Sequence, residues 1–144
     1  MKRTAIVFAT AFSSLGAMAQ MTPVGTWHTI DDNTKEIKSE IVITESAGVL
    51  TGKVAKLLRK EAKQDAVCDE CSDDRKGKPI LGMEIIRGAK KVDGKNVWED
   101  GKILDPENGK SYTLRLTPIE DGKKLEVRGS VFGIGRTQTW VRFQ

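Results

Sequence analysis

The sequence predicts an all-β protein, an eight-stranded antiparallel up-and-down barrel with one long loop. Three observations point there. Short runs of alternating apolar and polar residues follow one another through almost the whole chain after Gln20, and turn signals rich in Gly, Asp and Asn separate them at close spacing. Eight strands joined in chain order, finally, remove their exposed edges by closing on themselves.

The N-terminal segment stands apart from this cadence. Lys2 and Arg3 precede an apolar run over residues 5–12, and small residues ending in Ala17-Met18-Ala19 follow, the order of a secretory signal peptide over residues 1–19. The run is far shorter than the ~20 residues that span a bilayer, and no later segment comes closer, so no integral membrane segment is expected. Neither cysteine lies at the expected cut near Gln20, which argues for a soluble mature protein without a lipid anchor. Residues 20–144 then form a single β-barrel domain, large enough for one hydrophobic core and too small for two.

Taken in order, the first strand is Gly25-Thr26-Trp27-His28-Thr29-Ile30, and Asp31-Asp32-Asn33 supplies its turn. Residues 37–44 make the second, with Ile37, Ile41 and Ile43 on one face, and residues 49–57 the third, where Gly52 marks a bend or bulge. Residues 83–86, 96–104, 112–116, 124–131 and 136–142 are five further runs, joined by turns such as Asp93-Gly94 and Asp121-Gly122, in which Gly tolerates positive φ. Tyr112, Leu114 and Leu116 alternate with Thr113, Arg115 and Thr117, while Leu125 and Val127 alternate with Glu126 and Arg128, so each run has a buried and a wetter face. The exception is residues 58–78, which lack alternation; residues 57–64 could form a short helix. A segment of this length is usually functional or mobile.

Charge and composition exclude some partners. With Lys2 and Arg3 set aside, 22 basic residues face 20 acidic ones, which gives no electrostatic case for nucleic acid. Four Phe, three Trp and one Tyr are not interleaved with a basic stripe, so a single-strand-binding surface is unsupported.

Cys68-Asp69-Glu70-Cys71 is the sharpest local motif. In an oxidising compartment the favoured reading is a Cys68–Cys71 disulfide that pins the loop, worth about 2 kcal/mol in the chain-entropy model. A redox role would want the pair at a helix N-terminus in a βαβ setting, and a metal site would need two further ligands, which Asp69, Glu70, Asp73 and Asp74 could supply only as oxygen. His28 is the single histidine and offers at most one imidazole base. Gly133-Ile134-Gly135-Arg136 lacks the strand and helix context of a phosphate-binding loop and reads as a hairpin turn. Glu99, Asp100 and Asp105 are read as solvated, since Glu99 and Asp100 are expected on opposite faces of a strand. The basic group Lys53, Lys56, Arg59, Lys60 and Lys63 precedes the acidic group Asp65, Asp69, Glu70, Asp73 and Asp74, a dipolar loop that is either solvated or a docking surface. No catalytic residue, metal or cofactor is expected.

The last strand sets Arg136, Gln138, Trp140 and Arg142 on one face and Gly135, Thr137, Thr139 and Val141 on the other. If the first looks inward, two guanidinium groups enter the barrel and need hydrogen-bond partners; if the second does, the arginines merely solubilise. The preference of Trp140 for burial favours at least part of the first face being interior.

Gly25-Thr26-Trp27, Pro79-Ile80-Leu81-Gly82, the run from Trp98 to Pro106, Gly109-Lys110-Ser111-Tyr112 and Gly135-Arg136-Thr137-Gln138-Thr139-Trp140 together resemble the small exported bacterial proteins of domain of unknown function family 2147. The resemblance spans nearly the whole mature chain and implies a lipocalin-like barrel in a Gram-negative envelope, hence a periplasmic location, with no established activity to carry over. In the wider lipocalin-like pattern a Gly-x-Trp on the first strand meets an arginine of the last strand at the closed end. Gly25, Trp27 and Arg142 would play those structural parts, with Arg136 an alternative partner for the indole.

The functional expectation is a non-enzymatic binding module whose lumen takes a small amphipathic or lipophilic molecule, with residues 58–78 covering one mouth. Trp98, Tyr112, Arg128, Arg136 and Trp140 are the expected ligand-binding residues, an arginine orienting a polar head above an apolar pocket. The alternative is a protein-interaction or envelope-maintenance domain with a filled barrel. The two differ in whether an internal cavity exists.

Overall fold

The structure, a computed structural model, describes Ala5 and residues 21–144. The signal peptide expected over residues 1–19 and the cut near Gln20 lie, Ala5 apart, outside the described residues. Eight strands follow in order: β1 (Gly25–Ile30), β2 (Ile37–Ser46), β3 (Val49–Leu57), β4 (Glu84–Lys91), β5 (Trp98–Asp105), β6 (Lys110–Ile119), β7 (Lys124–Val131) and β8 (Ile134–Arg142). Each pairs antiparallel with its neighbours in sequence, and β8 returns to β1 through Trp27 opposite Arg142 and His28 opposite Val141, so the barrel is closed.

Residues paired across neighbouring strands share a face, so the register identifies the interior. Trp27 stands opposite Ile41, Ile41 opposite Val54, Gly52 opposite Ile86 and Ile86 opposite Ile103. Leu114 stands opposite Gly101 and Gly129, Leu116 opposite Val127, and Leu125 opposite Trp140. Trp27, Ile86, Leu114, Leu116 and Leu125 are fully buried, and burying each such side chain contributes about 1.5–3 kcal/mol. At Gly52 the wall bends so tightly that an added Cβ would lie 2.9 Å from the Ile86 Cβ; the register slips beside it. Strand order makes the ends unlike: the β1–β2, β3–β4, β5–β6 and β7–β8 connections lie at one end, and both chain termini of the domain lie at the other.

Three local expectations are corrected. Strand β4 runs on to Lys91 rather than stopping at Ile86, because Gly88 at φ 81° breaks the alternation and lets Ile86 and Ala89, three residues apart, both face inward opposite Gly52 and Leu50. The helix expected over residues 57–64 is absent: Leu57 belongs to β3, and the chain makes isolated turns through Ala62 N–H to Arg59 O (3.0 Å) and Ala66 N–H to Lys63 O (3.1 Å). Glu99 and Asp100 do not alternate across the sheet. They are the two residues that face one, Arg115, in a bulge between the Trp98–Leu116 and Gly101–Leu114 pairs, with Asp100 at φ 64°.

Candidate binding cavity and barrel mouth

The closed end is held by Trp27, Arg142 and Gly25. The Trp27 indole is fully buried and donates to Pro23 O at 2.8 Å, and the Arg142 guanidinium carbon lies 4.2 Å from the ring centre, a cation–π distance. Arg142 also donates to three backbone carbonyls, Gly122 O (2.6 Å), Val24 O (2.9 Å) and Thr22 O (2.7 Å). Those carbonyls belong to two segments that meet nowhere else in sequence, so one side chain ties the β6–β7 turn to the start of the domain. Burial pushes the guanidinium pKa down, and the donated bonds keep the charged form in place.

Above this plug the barrel is hollow. A cavity of about 780 Å³ opens at the other end. Its walls are the inward side chains Ile41, Val54, Ile103, Val127 and Trp140, with the polar groups of Thr29, Ser39, Tyr112 and Gln138 set among them. Thr29 and Ser39 satisfy each other at 2.7 Å. Gly129 clears space for Tyr112, since an added Cβ would lie 3.1 Å from the tyrosine Cβ. The Trp140 indole nitrogen is different, a buried donor with no hydrogen-bond partner, an arrangement that costs about 1–3 kcal/mol unless something accepts from it.

Ion pairs encircle the mouth. Arg59, from the β3–β4 connection, reaches both Asp31 of the β1–β2 loop and Glu107 of the β5–β6 turn (3.3 Å to the latter), Lys38 also approaches Glu107 (3.7 Å), and Arg136 pairs with Asp32 (3.2 Å). Two backbone amides and Arg59 hold the Asp31 carboxyl below its ordinary pKa, the Thr34 amide most strongly. The opening is therefore rimmed by charges that are mostly matched with one another.

The connection between β3 and β4 does two jobs. Arg59, Glu61, Ala62, Lys63 and Ala66 line the mouth, whereas the later part reaches the first half of β4 and the β5–β6 turn. There the disulfide joins Cys68 and Cys71, both buried, and Gly109 in the β5–β6 turn packs so closely on Glu70 that a side chain would clash with its carbonyl. Arg75, nearly buried, donates to Glu84 O (2.9 Å) and to Asp73. The hydrogen bond from Arg75 lowers the Asp73 carboxyl pKa to about 2. Arg87 on β4 grips Asp74 with two parallel bonds of 3.0 Å. Asp74, through Arg87, thus fastens the segment to β4, and Asp73 holds the Arg75 that bonds Glu84 O.

The expected ligand-binding residues separate. Tyr112, Arg136 and Trp140 come together around the cavity, Trp140 in the wall and Arg136 at the rim with most of its side chain in solvent. Trp98 is buried but does not line the cavity; it sits in the core near the closed end with the Lys91 ammonium 6.0 Å from its ring. Arg128 is on the outer wall, because Val127 and Gly129 on either side of it face the cavity. The pattern of β7 already carried that signal, since Arg128 alternates with the apolar positions. Ile103, Val127, Thr29, Ser39 and Arg59 line the cavity without having been expected among the ligand-binding residues. His28 lies on the outside too, stacked on Phe143 at 4.6 Å with its Nε2 3.1 Å from Glu40 Oε1. Among the described residues no group of three or more His, Cys, Asp or Glu is placed to hold a metal ion, and no helix is long and apolar enough to cross a membrane.

Comparison with known proteins agrees with this geometry. The family model described as "Uncharacterized protein conserved in bacteria (DUF2147)" matches residues 25–142. A solved structure described as "Protein HP1028 from the human pathogen Helicobacter pylori belongs to the lipocalin family" superposes with a TM-score of 0.69 at 21% identity, over 84% of this chain and 82% of that one. This likeness shows a shared fold. No curated protein matches the sequence.

Proposed function

This chain belongs to the DUF2147 family of uncharacterized bacterial proteins, and we propose that it is a periplasmic, non-enzymatic binding module for a small amphipathic or lipophilic molecule. The observation that carries this reading is the cavity of about 780 Å³, within the range of small-molecule sites, open at one end and closed at the other by the Trp27–Arg142 plug. An apolar tail would lie against Ile41, Val54, Ile103, Val127 and Trp140, and a polar head would remain at the rim near Lys38, Arg59 and Arg136. Lys38, Arg59, Arg136, Asp31, Asp32 and Glu107 at the rim pair with one another, an arrangement that supports binding. A filled interaction barrel would leave no such space, so the cavity counts against that alternative. The periplasmic assignment rests on the signal-peptide pattern of residues 1–19.

Native mass spectrometry of the protein purified from its own periplasm tests the reading. The expected result is a stoichiometric small-molecule adduct that Val127→Phe, which fills the cavity from its wall, removes while the fold persists. A bare polypeptide mass from wild-type protein, or an adduct indifferent to Val127→Phe, would overturn it.

A further inference from the structure

The turn between β7 and β8 breaks two rules at once. Phe132 is fully exposed and Ile134 is 83% exposed, with Val131 beside them at 43%. Phe132 also holds φ 53° and Gly133 φ 79°, the pair of left-handed residues of a tight mirror-image turn, where Asn, Asp or Gly fits without strain and a bulky aromatic does not. Nothing lies within 4 Å of where a Gly133 side chain would begin. The chain therefore places a strained aromatic where it packs on nothing of its own.

Position supplies the second clue. Ile134, Gly135 and Arg136 line the cavity, so the exposed tip continues into the mouth. Ile37 and Leu58, the exposed apolar residues at the start of β2 and just after β3, lie at the same end. The nearby charges Arg59, Arg136, Asp31 and Asp32 are paired within the rim, leaving an apolar knob on a nearly neutral collar.

We propose that the Val131–Ile134 hairpin inserts into the surface of a lipid bilayer and sets the barrel mouth against it. A stable protein interface needs about 800 Å² on each side, whereas one projecting aromatic brings about 150–250 Å², an amount that suits shallow insertion at the boundary of headgroups and acyl chains. Because the collar is neutral, apolar insertion rather than charge attraction holds the protein there, and salt screens little of it. This goes beyond the binding-module reading and does not depend on the barrel carrying a cargo.

The test is sedimentation of the purified protein with vesicles of phosphatidylethanolamine and phosphatidylglycerol, at low salt and at about 0.5 M NaCl, where charge attraction is screened. Wild type should bind at both salt levels. Phe132→Asn relieves the left-handed strain, so it should melt at a higher temperature than wild type while its vesicle partition falls about tenfold or more. That opposition separates lost insertion from lost folding, and adduct mass in the same samples reports cargo independently. Failure of wild type to bind vesicles, binding abolished by salt, or Phe132→Asn binding as wild type does would each overturn the proposal. So would a concentration-dependent dimer that Phe132→Asn dissolves without any vesicle binding, which would reassign the tip to self-association.

Discussion

The guanidinium of Arg142 occupies the space that a side chain on Gly25 would need. An alanine Cβ there would collide with Arg142 Nη1 and come within 2.7 Å of Gln144 O, while Gly25 itself sits at φ 141°, a conformation that other residues rarely adopt. The glycine, the arginine and the Trp27 ring beneath it form one packed layer. Trp27 and Arg142, opposite each other in the β1–β8 ladder, thereby close the barrel both by backbone pairing and by side-chain contact.

Gly25→Ala should lower stability by about 2–3 kcal/mol, through the clash and the unfavourable φ together. Arg142→Ala should cost about 3 kcal/mol, because it leaves buried carbonyls without their donor. The double variant should cost less than the sum, since removing the arginine removes the clash. Urea denaturation of the four proteins measures the cycle, and strict additivity would show that the two residues do not share the space as described.

The Asp73 carboxyl, its pKa lowered to about 2 chiefly by the Arg75 hydrogen bond, sets an acid limit on the attachment of the disulfide segment. A carboxylate whose folded pKa is depressed adds stability that is fully present above its unfolded value, 3.8, and is lost as pH falls through the folded one. Asp73→Asn should therefore melt below wild type at neutral pH, with the gap closing between pH 3.8 and about 2. Melting temperatures of the two proteins across that range decide the matter; a gap that stays constant would mean that the Asp73 charge contributes nothing. The side chain is 41% exposed, so solvent screens the pair and the gap should be modest.

Much of the barrel was legible because alternation in a closed sheet reports burial directly. Leu114, Leu116, Leu125 and Val127 all face inward as their spacing says, and on β8 Trp140 is buried with Gln138 beside it on the cavity wall, while Arg136 of the same face stays at the rim. Alternation failed where backbone irregularities reset the phase. Gly88 did this in β4, and the bulge at Glu99 and Asp100 did it in β5. The inclusion of Arg128 among the ligand-binding residues came from its charge rather than its phase, and its phase was the better guide. Arg59 could not have been placed at all. Its contacts with Asp31 and Glu107 span 28 and 48 positions in sequence and depend on the path of a connection that follows no period.

Two buried tryptophans with opposite hydrogen bonding give the most direct probe of the cavity. Trp27 donates to Pro23 O, whereas the Trp140 nitrogen is buried without a partner. Replacing Trp27 with Phe removes packed volume and strands a carbonyl, so both losses add. Replacing Trp140 with Phe removes packed volume but also removes an unsatisfied donor, a relief of about 1–3 kcal/mol that offsets much of the loss. In cargo-free protein Trp27→Phe should therefore be the more destabilising by about 2 kcal/mol, as read by urea denaturation. In cargo-loaded protein a ligand that accepts from the Trp140 indole would reverse the advantage, because Trp140→Phe would then forfeit a bond and the ligand's contribution to stability with it. Equal costs in the cargo-free state would show that the Trp140 donor is satisfied without a ligand.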